Sequence, residues 1–175
     1  MTNSLIIYSS TDGHTKSICE RIINFSDNEN KVKIVSLNEA ANFNLSEFNK
    51  IIIGASIRYG KHSKDLYKFI RFNKSILNKI DCSFFSVNVV ARKLEKSTPE
   101  TNPYIKKFLK ISNWTPKKIG VFAGKIDYPK YGFFDKYIIK FIMFITKGPT
   151  DTSQTYEFTD WSKVDLFAKE LWHNS

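Results

Sequence analysis

The sequence predicts an α/β domain of three layers, in which a five-stranded parallel sheet of order 2-1-3-4-5 lies between helices. The first observation is that short apolar, strand-like runs alternate along the chain with segments whose apolar residues have helical spacing. The second is that right-handed crossovers make this strand order the usual arrangement for five such strands. The third is the absence of a linker, an internal repeat or a low-complexity tract, which predicts one domain over residues 1–175.

Each element has its own pattern. Strand 1 is the apolar run of Leu5, Ile6 and Ile7, and the helix after it carries Ile18, Cys19 and Ile22 on one face. Further strands are predicted at 31–37, 50–56, 83–88 and 118–124, and helices at 63–80, at 99–112 and from Thr159 or Asp160 onward. Residues 127–154 do not fit the alternation, so we interpret them as an insertion between strand 5 and the last helix.

Composition limits the classes of function. With 42% hydrophobic residues the chain can bury a full core, and its formal net charge of +10 favours an anionic partner such as nucleic acid, an anionic lipid or a polycarboxylate ligand. Cys19 and Cys82 lie in apolar runs far apart, which indicates reduced core residues and no metal site. The N-terminus has no charged-then-apolar leader, so we expect a cytoplasmic protein.

The loop after strand 1 is rich in hydroxyl groups and opens a helix. A strand, a polar loop and a helix start together form an anion site, because the first-turn N–H groups and the helix dipole both favour negative charge. The loop has neither the G-x-x-x-x-G-K-[ST] nor the G-x-G-x-x-G signature, and it contains no lysine. It therefore suits a monophosphate held by neutral donors, as in FMN. Taken alone, it is more typical of a Ser or Thr N-cap on an ordinary helix.

The loops after strands 3 and 4 should meet the first loop, because the carboxyl ends of parallel strands share one edge of the sheet. Tyr59 offers a ring for stacking on a flat heterocycle, and Asn88 offers amide groups for a pyrimidine-like edge. Arg92 and Lys93 add positive charge to the loop after strand 4. These residues also have simpler explanations, since Tyr59 could be a core residue, and Arg92 and Lys93 could be a solvated pair. Three ligand-friendly loops at three neighbouring strand ends together favour a flavin site.

Several segments give the chain a resemblance to a known family. Residues 9–15, 54–60 and 86–93 resemble the flavodoxin-like menaquinone-dependent protoporphyrinogen IX dehydrogenases of bacteria. The similarity continues through 96–104, 107–109, 128–131, 138–143 and 159–161, and so covers nearly the whole chain. One departure is Thr11, which stands where a basic side chain is expected in close relatives.

The resemblance implies a flavodoxin-like fold and an FMN enzyme of haem synthesis. Such an enzyme oxidises protoporphyrinogen IX and passes the electrons to menaquinone or ubiquinone at the cytoplasmic face of the inner membrane. The phosphate would be held by Ser9, Ser10, Thr11, Asp12, Gly13, His14 and Thr15. The isoalloxazine would be flanked by Ser56, Ile57, Arg58, Tyr59, Gly60, Asn88, Val89, Val90, Ala91 and Arg92. Because the substrate carries propionates, our candidates for contacting it are the basic residues Arg58, Arg92, Lys93 and Lys130.

The insertion contains a helical segment, 135–147, with Lys136, Lys140 and Lys147 on one narrow arc. Apolar residues cover most of the remaining circumference, and the segment is shorter than the roughly 20 residues that span a bilayer. This pattern is typical of a helix that lies on an anionic membrane surface, and its apolar side chains would equally suit contact with a hydrophobic quinone or a tetrapyrrole. The alternative is that it packs on its own domain or on a second copy of the chain.

Two other classes of function stay open at this point. A flavodoxin-type electron carrier would have the same loops without a substrate of its own, although carriers that dock on basic partners are expected to be acidic and this chain is basic. A basic module for membranes or nucleic acid would have no flavin at all. We expect no nucleic-acid partner. A reductase that uses a nicotinamide cofactor is disfavoured, because no nicotinamide site is recognisable.

Overall fold

The computed structural model of the protein describes residues 3–27 and 31–173. Its central sheet is parallel and has the order β2-β1-β3-β4-β5, so the predicted fold class and strand order are confirmed. The five strands are β1 (Asn3–Ser9), β2 (Lys31–Ser36), β3 (Lys50–Ser56), β4 (Asp81–Val87) and β5 (Lys118–Phe122). The helices are α1 (His14–Ile23), α2 (Leu37–Ala40), α3 (Lys64–Leu77), α4 (Pro103–Ser112), α5 (Phe133–Ile145) and α6 (Trp161–His173).

Both faces of the sheet are covered, because alternate residues of each central strand point to opposite sides. On one face, Ile51 and Phe84 pack in a core with α3 and α4. On the other face, Ile52 and Phe85 pack in a second core with α1 and α6. Cys19 and Cys82 are buried free thiols in these cores, as predicted. Burial raises the pKa of both thiols, that of Cys82 to about 12.

The register of the strands brings three loops to one edge. Ser9 pairs with Ala55, Ser56 pairs with Val87, and Val87 pairs with Phe122. The carboxyl ends of β1, β3, β4 and β5 are therefore nearly level along the strand direction, and the loops after β1, β3 and β4 begin side by side. This is the edge at which parallel sheets of this order bind ligands.

The insertion begins and ends in a small antiparallel pair of strands. Strand β6 (Lys125–Asp127) pairs with β7 (Thr155–Glu157), and α5 lies in the segment between them. The pair extends the base of the insertion beyond the predicted bounds of 127–154. A cluster of Ile126, Tyr128 and Met143 fastens α5 to this base.

Several predicted boundaries were wrong. The helix predicted at 99–112 begins at Pro103, because Asn102 Oδ1 accepts the N–H groups of Tyr104 and Ile105 and Pro103 fits the first turn. Strand β2 ends at Ser36, whose hydroxyl forms a capping box with Glu39 and starts the short helix α2. Strand β4 spans Asp81–Val87 instead of 83–88, helix α3 ends at Leu77, and β5 ends at Phe122, two residues before the predicted end.

Candidate functional site

Helix α1 begins without a side-chain cap. Its N-cap is Gly13, in the left-handed conformation at φ 83°, and no side chain of the described residues caps it. Ser10 Oγ instead accepts the N–H of Gly13 at 2.9 Å, which tightens the turn before the helix. The interpretation of this loop as a Ser or Thr N-cap was therefore wrong. The first turn of α1 presents its N–H groups and the positive end of its dipole to a ligand.

The first turn of α1 contains a buried hydroxyl, that of Thr15. In the described ranges, two buried side-chain oxygens have no hydrogen-bond partner, Thr15 Oγ1 and Ser4 Oγ. Buried polar atoms are normally satisfied, so each such atom needs an explanation. Thr15 belongs to the wall of a large cavity, whereas Ser4 lies at the opposite end of β1. An anion at the head of α1 would supply an acceptor for Thr15.

The cavity has a volume of about 530 Å³, within the range of roughly 300–1,000 Å³ for ligand sites. The predicted residues in its wall come from all three loops and from the insertion. They are Ser10, Thr11, Asp12, Gly13, His14, Thr15, Ser56, Ile57, Arg58, Asn88, Val89 and Lys130. The wall also contains residues that the sequence reasoning missed, namely Ser17, Val87, Gly124, Lys125, Asp127 and Tyr131. Three of these six, Gly124, Lys125 and Asp127, belong to β6 or directly precede it, and Tyr131 lies in the segment 128–131 that carries part of the resemblance.

A smaller cleft opens between the loops and α5. It contains Tyr59, Gly60, Val90 and Arg92, and α5 contributes Ile139, Ile142 and Met143. Asp12, Ile57, Arg58, Val89, Lys125 and Tyr131 line both this cleft and the large cavity, so the two spaces adjoin. Three other predicted residues, Ser9, Ala91 and Lys93, line neither space. Tyr59 therefore lines the cleft beside α5 and not the large cavity.

The amide of Asn88 is engaged within the protein. Its Oδ1 accepts from Ala91 N and from Asn102 Nδ2, and its own Nδ2 donates to Ser86 Oγ. These bonds stabilise the 3₁₀ turn Val89–Arg92 that follows β4. Asn88 thus shapes the loop. Its Nδ2 carries a second proton and the residue lines the large cavity, so a contact with a heterocycle stays a prediction.

Arg58 links the phosphate loop to α5. Its guanidinium donates to Asp12 at 2.9 Å and to Asp135 at 2.8 Å, and it lies 5.1 Å from the ring centroid of Tyr131. The Tyr59 hydroxyl also donates to Asp135, and together with Arg58 it holds the pKa of that carboxyl below its usual value. Burial lowers the pKa of Arg58, but Tyr59 and the two carboxylates raise it above its ordinary value. Burial raises the pKa of Tyr131 to about 12.

The other basic candidates have different surroundings. Arg92 donates to the carbonyls of Val89 at 3.0 Å and Thr146 at 2.8 Å, so its side chain ties the end of α5 to the 3₁₀ turn. Lys130 pairs with Asp127 at 3.2 Å and is largely exposed at the cavity rim. Lys93 lies away from both spaces. Within the ranges that the structure describes, no cluster of His, Cys, Asp or Glu could hold a metal ion.

The sequence model of the family described as "Flavodoxin domain" matches residues 5–153. A protoporphyrinogen IX dehydrogenase (quinone) from Leishmania major is 43% identical over 169 residues, covering 95% of this chain and 73% of its own length. The chain belongs to this flavodoxin-domain family of oxidoreductases. The Escherichia coli K12 enzyme of the same name is 36% identical over 97% of this chain and 94% of its own length. The resemblance is therefore not restricted to bacteria.

Solved structures are also similar to this flavodoxin-domain chain. A flavoprotein from Lactobacillus acidophilus, solved in complex with FMN, has a TM-score of 0.47 and 14% identity, covering 69% of this chain and 93% of its own. An archaeal flavodoxin has a TM-score of 0.46 and 20% identity, covering 68% of this chain and 82% of its own.

Proposed function

We propose that this chain binds FMN and oxidises protoporphyrinogen IX to protoporphyrin IX in haem synthesis, passing the electrons to a quinone, menaquinone or ubiquinone. Relatives that are 36% and 43% identical over nearly the whole chain bear the name of this activity. One structural observation carries the cofactor assignment. The uncapped N-terminus of α1 and the unpartnered hydroxyl of Thr15 lie together at the wall of the large cavity.

The residues present fit a flavin mononucleotide. The N–H groups of the α1 first turn and the hydroxyls of Ser10, Thr11 and Thr15 would hold its phosphate. Gly13 allows the turn, since its φ of 83° is strained for a residue with a Cβ. Ile57 and Val89 give the rest of the cavity apolar walls for a flat ring. When bound, FMN would supply the acceptance of a hydride and the return of its electrons to quinone.

The chain itself would bind and orient the substrate. The adjoining cleft has an apolar wall from Ile139, Ile142 and Met143, which suits a tetrapyrrole or a quinone tail. Arg58 lies on the border of the two spaces and Lys130 at the outer rim, so these two are the strongest candidates for the propionates. For Arg58, a propionate would have to compete with Asp12 and Asp135. Arg92 would act by holding α5 in place, and Lys93 has no supporting contact.

The membrane proposal rests on α5. The apolar side chains of Phe134, Phe141 and Phe144 are mostly exposed, and Met143 is the one buried residue of this helix. Lys140 and Lys147 are also exposed and would meet anionic head groups, each contributing about 1 kcal/mol near the surface. No helix within residues 3–27 and 31–173 is long and apolar enough to cross a membrane. We propose that α5 lies on the cytoplasmic face of the inner membrane, with a second copy of the chain as the alternative occupant of this face.

The test uses the purified protein in an oxygen-free solution, so that the added quinone is the electron acceptor. Protoporphyrinogen IX and a soluble menaquinone analogue are added to protein loaded with FMN, and porphyrin fluorescence is recorded. We expect fluorescence to rise only when protein, FMN and quinone are all present. A flavin spectrum without quinone-dependent porphyrin would favour the electron carrier. A protein that does not take up FMN would favour the basic module and overturn the proposal.

A further inference from the structure

The ring of His14 has a defined tautomer. The hydroxyl of Thr159 donates its one proton to the carbonyl oxygen of Ala123 at 2.8 Å. Thr159 Oγ1 also lies 2.6 Å from His14 Nε2, so it must accept a proton from that nitrogen. Neutral His14 therefore carries its proton on Nε2 and a lone pair on Nδ1.

His14 is also the one residue of the phosphate loop that can become positively charged. The segment 9–15 contains no lysine or arginine, and its single carboxylate, Asp12, pairs with Arg58 at 2.9 Å. His14 is the first residue of α1 and lines the large cavity. An anion bound at the head of this helix would lie among neutral donors, with His14 as the nearest group in the loop that could add a charge.

The surroundings favour the neutral form of the ring when no anion is bound. Burial lowers the pKa of His14 below its usual value of 6.5, Glu157 of β7 raises it, and Lys125 of β6 lowers it. The ring of Trp161 in α6 packs edge-on against the imidazole, with centroids 5.9 Å apart. The other charged side chains around the cavity are Asp12, Arg58, Asp127 and Lys130.

We propose that His14 takes up a proton on Nδ1 when a phosphate monoester binds at the N-terminus of α1, so that the imidazolium contributes to holding the anion. The proposal rests on the proposed FMN site. Protonation at Nδ1 breaks no existing hydrogen bond, because Nε2 donates to Thr159 in both forms. Burial disfavours the charged form of the ring, whereas a nearby phosphate dianion favours it and therefore raises the pKa of His14.

The consequence is a linkage between FMN affinity and pH. Binding takes up a proton wherever the pH lies between the pKa of His14 in the free protein and its higher pKa in the complex. In that window the dissociation constant rises with pH, by up to about tenfold per unit. The FMN phosphate has a second pKa of about 6, and its own titration changes the dissociation constant in the opposite direction below that pH. A variant without the imidazole is therefore needed as the background.

The experiment is calorimetric titration of the FMN-free protein with FMN at pH 6.5 and 7.5, each in two buffers of different ionisation enthalpy. We expect the natural chain to take up more protons per bound FMN than His14→Gln, with a dissociation constant that rises more steeply with pH. Riboflavin, which lacks the phosphate, should bind without this uptake. Equal proton uptake by the natural chain and His14→Gln, with FMN bound to both, would overturn the inference and leave the proposed function intact.

A second measurement does not depend on the variant folding. The imidazole signal of His14 is titrated by NMR in the natural chain, with and without FMN. We expect its pKa to rise on binding. An unchanged pKa in an FMN complex contradicts the inference, whereas the absence of any complex contradicts the proposed function and the inference together.

Discussion

Arg58 donates to the carboxylate of Asp135 at 2.8 Å, which joins the loop after β3 to the first turn of α5. The same guanidinium donates to Asp12 in the phosphate loop at 2.9 Å. The rings of Tyr59 and Tyr131 lie 5.2 and 5.1 Å from it, close enough for cation–π contacts. The position of α5 is therefore coupled to the loop that we assign to the phosphate.

We expect Asp135→Asn to loosen the start of α5, because it removes a charged acceptor from Arg58 and Tyr59. Amide hydrogen exchange should become several-fold faster at residues 133–138 and stay unchanged in α3. The pKa of Asp135 is lowered below its usual value of 3.8 by its bonds to Tyr59 and Arg58. The stabilisation from these bonds is therefore fully present when the pH is above 3.8 and is lost as the pH falls through the lowered pKa. The natural chain should therefore show faster exchange in α5 only in strong acid.

Asp65→Asn is the matched control for this change. Asp65 also lies in the first turn of its helix and pairs with a cation, Lys68, at 3.3 Å, but this pair is exposed and joins no second element. Its loss should not alter exchange in α5. The same exchange profile in both variants would show that Asp135 has no such role.

We expect Thr15→Val to weaken FMN binding without unfolding the protein. The change keeps the shape of the side chain and removes a buried hydroxyl that has no partner, so the apo protein should be equally or more stable. A hydrogen bond to a charged group contributes about 1.5–3 kcal/mol, so the dissociation constant should rise roughly 10- to 100-fold. Flavin fluorescence quenching measures it.

Ser4→Ala is the control, because in the part of the chain that the structure describes Ser4 Oγ is the other buried side-chain oxygen without a partner, and it lies at the far end of β1. It should leave FMN affinity unchanged. If Thr15→Val binds FMN as tightly as Ser4→Ala, the phosphate does not use this hydroxyl.

We expect α5 to hold the protein on anionic vesicles through its exposed apolar side chains. Replacing Ile138, Phe141 and Ile145 with serine should release the protein in a sedimentation assay and leave FMN binding intact. Each fully inserted side chain of this kind contributes about 1.5–3 kcal/mol to membrane binding, so the loss of three should move most of the protein from the vesicles into solution.

The control for the vesicle assay replaces Phe72, Leu94 and Leu166 with serine, since these are exposed to a similar or greater degree outside the insertion. We expect this control to sediment with vesicles like the natural chain. Equal sedimentation of all three proteins would rule out α5 as the membrane contact. A change of oligomeric state in the α5 variant alone would instead assign the face to a second copy.

We expect the free energy of unfolding to fall in mild acid because of the buried ring of His62. Its ring packs against Tyr67, Phe84 and Phe108, and burial lowers its pKa to about 4. Below pH 6.5 the unfolded chain binds a proton that the folded chain does not, so stability falls as the pH drops from 6.5 towards 4. At pH 5 the loss from this residue is roughly 2 kcal/mol. Urea denaturation at pH 7 and 5 should show this loss, and His62→Gln should lack it.

The sheet could be predicted because its signals are local. The buried runs around Ile6, Ile52 and Phe84 each form a strand in place, and handedness then decides the order. Asn88 and Arg92 show the limit of this reasoning. Both are candidates for the ligand by residue type and loop position, but their bonds to Asn102 and Thr146, which are 14 and 54 residues away in the chain, could not be predicted. No periodicity connects such residues.

The wall formed by β6 was missed for the same reason. Its three residues pair with β7, and 27 residues lie between the two strands, each of which is too short to have a pattern of its own. The single glycine of the phosphate loop could have been interpreted better. Gly13 occupies the N-cap position of α1, where a Ser, Thr, Asp or Asn side chain would normally bond to the first-turn N–H groups. A glycine in this position indicates that these N–H groups are open to a ligand, as well as indicating a turn.

The pairing of β6 with β7 has a consequence for how the insertion is attached to the domain. Asp127 lies opposite Thr155, so the insertion leaves and re-enters the domain at neighbouring points. A two-residue turn could join these strands directly, since that is the usual closure of an antiparallel pair. The parallel sheet contains none of the residues between β6 and β7, so we expect a chain shortened in this way to keep the sheet while losing α5.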